Sequence, residues 1–223
     1  MDETLTAFLQ TLAPDHTAIQ ADMAELASEE GFPIIGREAG AVLQMLATLT
    51  EARAIFEFGS GFGYSATWFL RGMHPQGQLI LTELDPDEID QGRTFLERAG
   101  WKDRFRYEQG DALEIIDRYP TPFDIVLIDH QKSRYPEAFE AIQAQLPVGA
   151  VVIADNVMRG PVGYEELLGY LQGDHQPERA SSAGGLVAYL DRLNAAENWV
   201  SAILPVGNGL AVSVKHRGTL VDD

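Results

Sequence analysis

The chain has 223 residues, 45% of them hydrophobic, and no cysteine, which excludes disulfides and thiolate metal sites and leaves one domain with a sizeable core. Its 34 acids face 16 bases, a formal net charge of −18, so the surface repels nucleic acid and anionic membrane at long range. Only Lys102, Lys132 and Lys215 are lysines, and such an excess of acids with scarce lysine resembles proteins of salt-loving organisms, where salt screens the self-repulsion.

The chain starts MDETL, acidic and without an apolar segment behind it, and no apolar run approaches the roughly 18–20 residues of a membrane span. A cytoplasmic protein without membrane contact is expected. Residues 1–30 predict helix, because Leu5, Phe8, Leu9, Leu12 and then Ile19, Met23, Leu26 recur at helical spacing, with a break at Pro14–Asp15. Residues 38–49 predict another amphipathic helix. Strands and helices then alternate: strand 54–58, helix 65–73, strand 78–83, helix 86–100, strand 105–109, helix 111–119, strand 123–129, helix 136–146 and strand 150–155. Continuous apolar strands between helices imply a parallel sheet covered on both faces. QGDHQPERASSAGG, 172–185, is polar and rich in Gly and Ser, which predicts a mobile surface loop. VSAILPVG and GLAVSVKH flank Asn208–Gly209, a hairpin signal that closes the sheet with an antiparallel pair. The expected fold class is α/β, with helices of residues 1–50 preceding a core of 51–223.

The first strand runs into EFGSGFGYS, 57–65. Gly59, Gly61 and Gly63 permit a tight turn and close approach of backbone to a ligand, and the next helix points free N–H groups at it. A dinucleotide fingerprint would need its third glycine at Tyr64, which argues against a nicotinamide enzyme. The spacing G-x-G-x-G instead resembles methyltransferases that use S-adenosylmethionine. Glu83 closes the second strand, where a carboxylate can accept two ribose hydroxyls. Asp111 opens the helix after the third strand, either as its N-cap or, with the Ala112 N–H, against an adenine edge. Asp129 and Asp155 end the fourth and fifth strands, and Asn156 follows. If those strands are neighbours, about 4.8 Å apart, two carboxylates and an amide oxygen surround one point. Such a set suits a hard divalent cation, Mg²⁺ first.

Together these segments resemble the metal-dependent catechol and caffeoyl-CoA O-methyltransferase family. DHQKSRY, 129–135, is similar to that family's Asp-His-x-Lys-x-x-Tyr; ADNVMRGPV is similar to its Asp-Asn-Val segment; FEFGSGFGYSA resembles its Glu-x-Gly-x-x-x-Gly-Tyr-Ser loop. The likeness covers roughly residues 33–162 and again 200–216. Gln131 stands where the catechol enzymes carry an aromatic residue. The resemblance implies a Rossmann-like class I methyltransferase with a mostly parallel seven-stranded sheet, helices on both faces and a C-terminal antiparallel hairpin. It implies Asp129, Asp155 and Asn156 as metal ligands and Lys132 as general base. It implies cofactor contacts from Glu57, Gly59, Ser60, Gly61, Gly63, Tyr64, Ser65, Glu83, Asp111, Ala112 and Asp129. It also implies S-adenosylmethionine and Mg²⁺ as cofactors, a catechol-like small-molecule acceptor, and a homodimer in which the first helices line the acceptor pocket or the dimer contact.

Two other readings stay beside it. Bacterial relatives of the family methylate a hydroxyuridine of transfer RNA, and Arg37, Arg134 and Arg159 are expected to flank the site mouth. A non-catalytic cofactor-binding module is the other, although such a module needs no general base.

Overall fold

A computed structural model describes residues 3–119, 122–159 and 162–218. Three helices lead: α1 (Glu3–Leu12), α2 (Ala18–Glu30) and α3 (Arg37–Leu49). Thr17 starts α2 through a reciprocal capping box with Gln20, which satisfies two free donors at the helix start. Then come β1 (Ala54–Phe58), α4 (Tyr64–Gly72), β2 (Gln78–Glu83), α5 (Pro86–Arg98), β3 (Phe105–Gln109), α6 (Ala112–Ile116) and β4 (Ile125–Ile128). A single 3-10 turn, Lys132–Arg134, leads into α7 (Tyr135–Gln143), followed by β5 (Val151–Ala154), α8 (Tyr164–Gln172), α9 (Ser182–Ala195), β6 (Trp199–Leu204) and β7 (Leu210–Lys215).

The strands form one seven-stranded sheet in the order β3-β2-β1-β4-β5-β7-β6. β1 to β5 are parallel, and β7 runs antiparallel to both β5 and β6. Strand order reverses between β1 and β4, the place where open α/β sheets gather ligands outside their carboxyl ends. Both sheet faces are covered. Ile125 and Leu127 of β4 join a core with α2, α3, α4 and α5, while Val126 and Ile128 join one with α6, α7, α8 and α9. Burial on both faces is why the strand reads as an unbroken apolar run. Ile128 pairs with Ala154, so Asp129 and Asp155, each the next residue, stand side by side at the carboxyl edge.

Several boundaries differ from expectation. The helix over 111–119 is the short α6, and the strand over 123–129 is shortened to β4. The hairpin turn is not a two-residue Asn208–Gly209 loop. Leu204 pairs with Leu210, leaving a five-residue connection with Gly207 and Gly209 in left-handed conformations. The largest correction concerns 172–185: the connection ends at Ser181, and Ser182–Gly185 is the first turn of α9. Ser181 caps that helix by accepting from the Gly184 N–H at 3.0 Å. Its glycines, read as flexibility, serve close packing. Among the described residues no helix is long and apolar enough to cross a membrane.

Candidate active site

A cavity of about 540 Å³ opens at the carboxyl ends of β1, β2, β4 and β5, within the roughly 300–1,000 Å³ usual for small-molecule sites. On the side of the glycine loop its wall carries Gly59, Ser60, Gly61, Tyr64 and Ser65. Gly59 has φ +78°, and a Cβ there would stand 3.0 Å from the Asp129 carbonyl oxygen and the His130 Cα. Glycine therefore lets the loop after β1 lie against the loop after β4. Glu57 and Gly63 are not on the wall. Gly63 caps α4. Glu57 is buried behind the loop, where Ser65 Oγ donates to its Oε1 and Oε2 has no partner. Burial pushes its carboxyl up to about 8.

Glu83, Asp111 and Ala112 form the next side. Glu83 Oε2 accepts from the Gly61 N–H at 2.9 Å and Oε1 from the Leu84 N–H at 2.7 Å; a carboxylate keeps further lone pairs for hydroxyl donors. Asp111 caps α6 by accepting from the Leu113 N–H at 2.9 Å. It also faces the cavity, and its Oδ2 accepts from Arg134 Nη1 at 2.6 Å, which holds its carboxyl below the usual range. The expected cap is therefore formed by a residue that also lines the cavity.

At the far end Asp129, Lys132, Asp155 and Asn156 converge on the cavity. Lys132 Nζ donates to Asp129 Oδ1 at 2.9 Å and to Tyr135 Oη at 2.7 Å. Tyr135 Oη lies 3.1 Å from the Asp155 carbonyl oxygen, to which it donates. The Asn156 N–H donates to Asp155 Oδ1 at 2.7 Å, and its φ of +60° is a conformation Asn tolerates better than most residues. That turn aims Asn156 Nδ2 at Asp129 Oδ1, 3.1 Å away. Burial pushes both carboxyls up, Asp155 to about 7 with Asp129 adding repulsion, while Lys132 opposes the rise.

With this geometry in hand, comparison with known proteins is decisive. A model of the O-methyltransferase family matches residues 15–216. The chain belongs to the O-methyltransferase family. Over 160 residues this O-methyltransferase is 36% identical to a catechol O-methyltransferase of Mycobacterium tuberculosis, covering 69% of this chain and 71% of that one. Over 139 residues it is 34% identical to a catechol O-methyltransferase of Niastella koreensis, covering 59% of this chain and 62% of that protein, less than two thirds of its length. In fold it is similar to the O-methyltransferase TomG of Streptomyces achromogenes, solved with SAM, at a TM-score of 0.82 and 24% identity, covering 97% of this chain and 100% of that one. The class I methyltransferase architecture expected from the motifs is the architecture found.

The enzyme's site contains residues that sequence reasoning passed over. Tyr135 lay inside a quoted motif, yet its contact with Lys132 depends on the 3-10 turn folding the two side chains together. Asn208, from the β6–β7 connection, reaches the cavity wall and donates through Nδ2 to Asn156 Oδ1 at 2.9 Å; the sequence marks it only as a turn residue. Phe32, Pro33, Ile34 and Ile35 form an apolar wall between α2 and α3, with the Phe32 ring 4.9 Å from that of Phe62. His16 Nε2 meets Tyr64 Oη at 2.7 Å, so the segment between α1 and α2 touches the start of α4. His130 stacks on Tyr135 at 5.5 Å, and burial pulls its ring down to about 4; it is a neutral wall residue. Of the three arginines expected at the mouth, Arg134 lines the cavity but is tied to Asp111 and Glu137, while Arg37 and Arg159 are not on its wall. Arg37 reaches Asp15 and the Gln10 carbonyl oxygen.

The donor set has the chemistry of a hard-cation site in two of its three members. Asp129 and Asp155 are adjacent carboxylates driven toward protonation, a condition that a bound cation relieves. Among the described residues no group of three or more His, Cys, Asp or Glu side chains is arranged to hold a metal ion; the third expected member, Asn156, is an amide. Asn156 turns its nitrogen to Asp129 and its oxygen to Asn208. Presenting oxygen to a cation requires that amide to turn over, and Asn208 can follow because its own amide offers an acceptor as well as donors.

Proposed function

We infer that this O-methyltransferase uses S-adenosylmethionine and a divalent cation, Mg²⁺ by preference, to methylate one hydroxyl of a catechol-like small molecule. The observation that carries the reading is the convergence of Lys132, Asp129, Asp155 and Asn156 on the cavity that also holds the glycine loop, Glu83 and Asp111. S-adenosylmethionine would supply an electrophilic methyl group, and Mg²⁺ would lower the pKa of the acceptor hydroxyl, near 10 for a free phenol. Asp129, Asp155 and Asn156 would hold the cation. As a neutral amine, the form that an adjacent cation favours, Lys132 would receive the acceptor proton through Nζ, steadied by Tyr135. Glu83 accepts hydroxyl hydrogen bonds, and the Ala112 N–H with Asp111 meets a purine edge. The apolar wall Phe32–Ile35 and the buried neutral His130 keep water from the cavity. Names of the relatives, catechol O-methyltransferases in two organisms, support the acceptor class.

The same reading includes a homodimer. Leu5, Phe8 and Leu12 of α1 are exposed apolar residues and offer the face for a second copy; sedimentation should give twice the chain mass.

Labelled S-adenosylmethionine offered with catechol, phenol or unmodified transfer RNA tests the assignment. Label should enter catechol, not phenol, and should vanish with excess EDTA and return with Mg²⁺. In Asp155→Ala, titration calorimetry should lose the Mg²⁺ signal while retaining cofactor binding. Full activity in EDTA would remove the cation from the reading, and label confined to RNA would replace the acceptor.

A further inference from the structure

Helix α9 approaches the 3-10 turn that carries Lys132 more closely than a side chain allows. A Cβ on Gly185 would stand 2.3 Å from the Lys132 carbonyl oxygen and 2.4 Å from the Ser133 Cα. Only a hydrogen fits between that helix and the turn. One helical turn later on the same face, Tyr189 is fully buried and meets Tyr135 edge-on, ring centroids 5.7 Å apart. Tyr135 in turn holds Lys132 Nζ through its hydroxyl at 2.7 Å. Helix α9 therefore touches the lysine's backbone at one point and, through Tyr135, its side-chain tip at the other. Neither Gly185 nor Tyr189 is on the cavity wall.

We propose that Gly185 and Tyr189 are positioning residues of the methyl transfer, which fix Lys132 relative to Asp129 and the acceptor while leaving the cofactor side untouched. The proposal rests on the role given above to Lys132. A second glycine supplies the matched control. A Cβ on Gly184 would stand 2.2 Å from the Glu178 carbonyl oxygen and 2.9 Å from that of Arg179. Gly184 is as crowded as Gly185, in the same helix turn, but against the preceding loop instead of the lysine's turn. A purely structural need for glycine predicts the same behaviour at both positions. Positioning of the base predicts different behaviour.

The experiment compares Gly185→Ala, Gly184→Ala and Tyr189→Leu in the full chain. Three lysines in all give three resolvable side-chain signals when lysine Cε is isotopically labelled for NMR. Gly185→Ala and Tyr189→Leu should shift the Lys132 signal, identified by its absence in Lys132→Met, and leave Lys102 and Lys215 in place. Both variants should lower kcat at least tenfold with cofactor affinity changed less than twofold. Gly184→Ala should lower thermal stability as Gly185→Ala does, yet keep the Lys132 signal and kcat. An unmoved Lys132 signal with wild-type kcat in Gly185→Ala, or equal losses in both glycine variants, overturns the proposal. If Gly185→Ala does not fold, Tyr189→Leu decides alone by the same two readouts. The NMR signal needs no reaction, so a moved Lys132 signal with unaffected turnover in Lys132→Met would fault the base assignment and not the positioning contact.

Discussion

Lys132 stands where two demands meet. It offsets the charge of Asp129, and it faces the space where an acceptor oxygen would lie. Lys132→Met keeps the length and removes the nitrogen. Turnover should fall about 10²–10⁴-fold, the usual range for a lost general base, with cofactor affinity unchanged by calorimetry; near-wild-type turnover would leave Lys132 a mere counter-charge. Glu57 gives a second prediction, in pH. Its carboxyl is held up at about 8 by burial, against an ordinary 4.5. Between those values the folded chain keeps a proton there that the unfolded chain has released, so this residue's contribution to stability is full below the ordinary value and is lost as pH rises toward 8. Glu57→Gln cannot titrate. The melting temperature of the wild type should therefore fall relative to that of Glu57→Gln as pH rises from 5 to about 8, and parallel curves would show that Glu57 is ionised throughout.

Among the elements, the parallel strands were the most legible. β1 and β2 have their expected bounds because an apolar run closed by Gly or an acid is a physical description of a buried strand and its exit; β3, an edge strand with only Tyr107 buried, keeps its expected bounds as well. The strand ends were legible for the same reason, and they bring Asp129, Asp155 and Asn156 together through the pairing of β4 with β5. Contacts between distant segments were not. Asn208 on Asn156, His16 on Tyr64 and Gly185 on Lys132 join residues whose meeting depends on the whole topology. Helix α9 was hidden because Ser-Ser-Ala-Gly-Gly has loop composition, while its glycines answer to neighbours outside the segment. Helix α6 shows one residue holding two tasks, and a pair of variants separates them. Asp111→Ala removes the cap and should cost about 0.5–2 kcal/mol in denaturant unfolding. Asp111→Asn caps as well as Asp but cannot pair ionically with Arg134, so stability should return. If Asp111→Asn is as unstable as Asp111→Ala, the ion pair and not the cap holds α6.

At the scale of the molecule, charge sets the terms. A formal charge of −18 on one compact chain makes self-repulsion a standing cost of folding, because the unfolded chain spreads the same charges apart. The ion pairs on the surface do little to offset it. Arg98 with Asp22 and Arg192 with Glu140 join partly exposed side chains, a class worth roughly 0–1 kcal/mol per pair. Added salt acts more broadly. The screening length falls from about 10 Å at 0.1 M to about 3 Å at 1 M, which removes most repulsion between separated surface acids while close pairs are weakened less. The melting temperature should therefore climb as KCl rises from millimolar to molar. KCl is the proper salt, since sulfate stabilises proteins of any charge by exclusion from their surface. Screening should saturate once the length is shorter than the spacing between acids, so the rise should be steepest below about 1 M. A melting temperature that stays flat or falls across that range would mean that the acids are already neutralised within the fold, and the salt-loving reading of the composition would go with it.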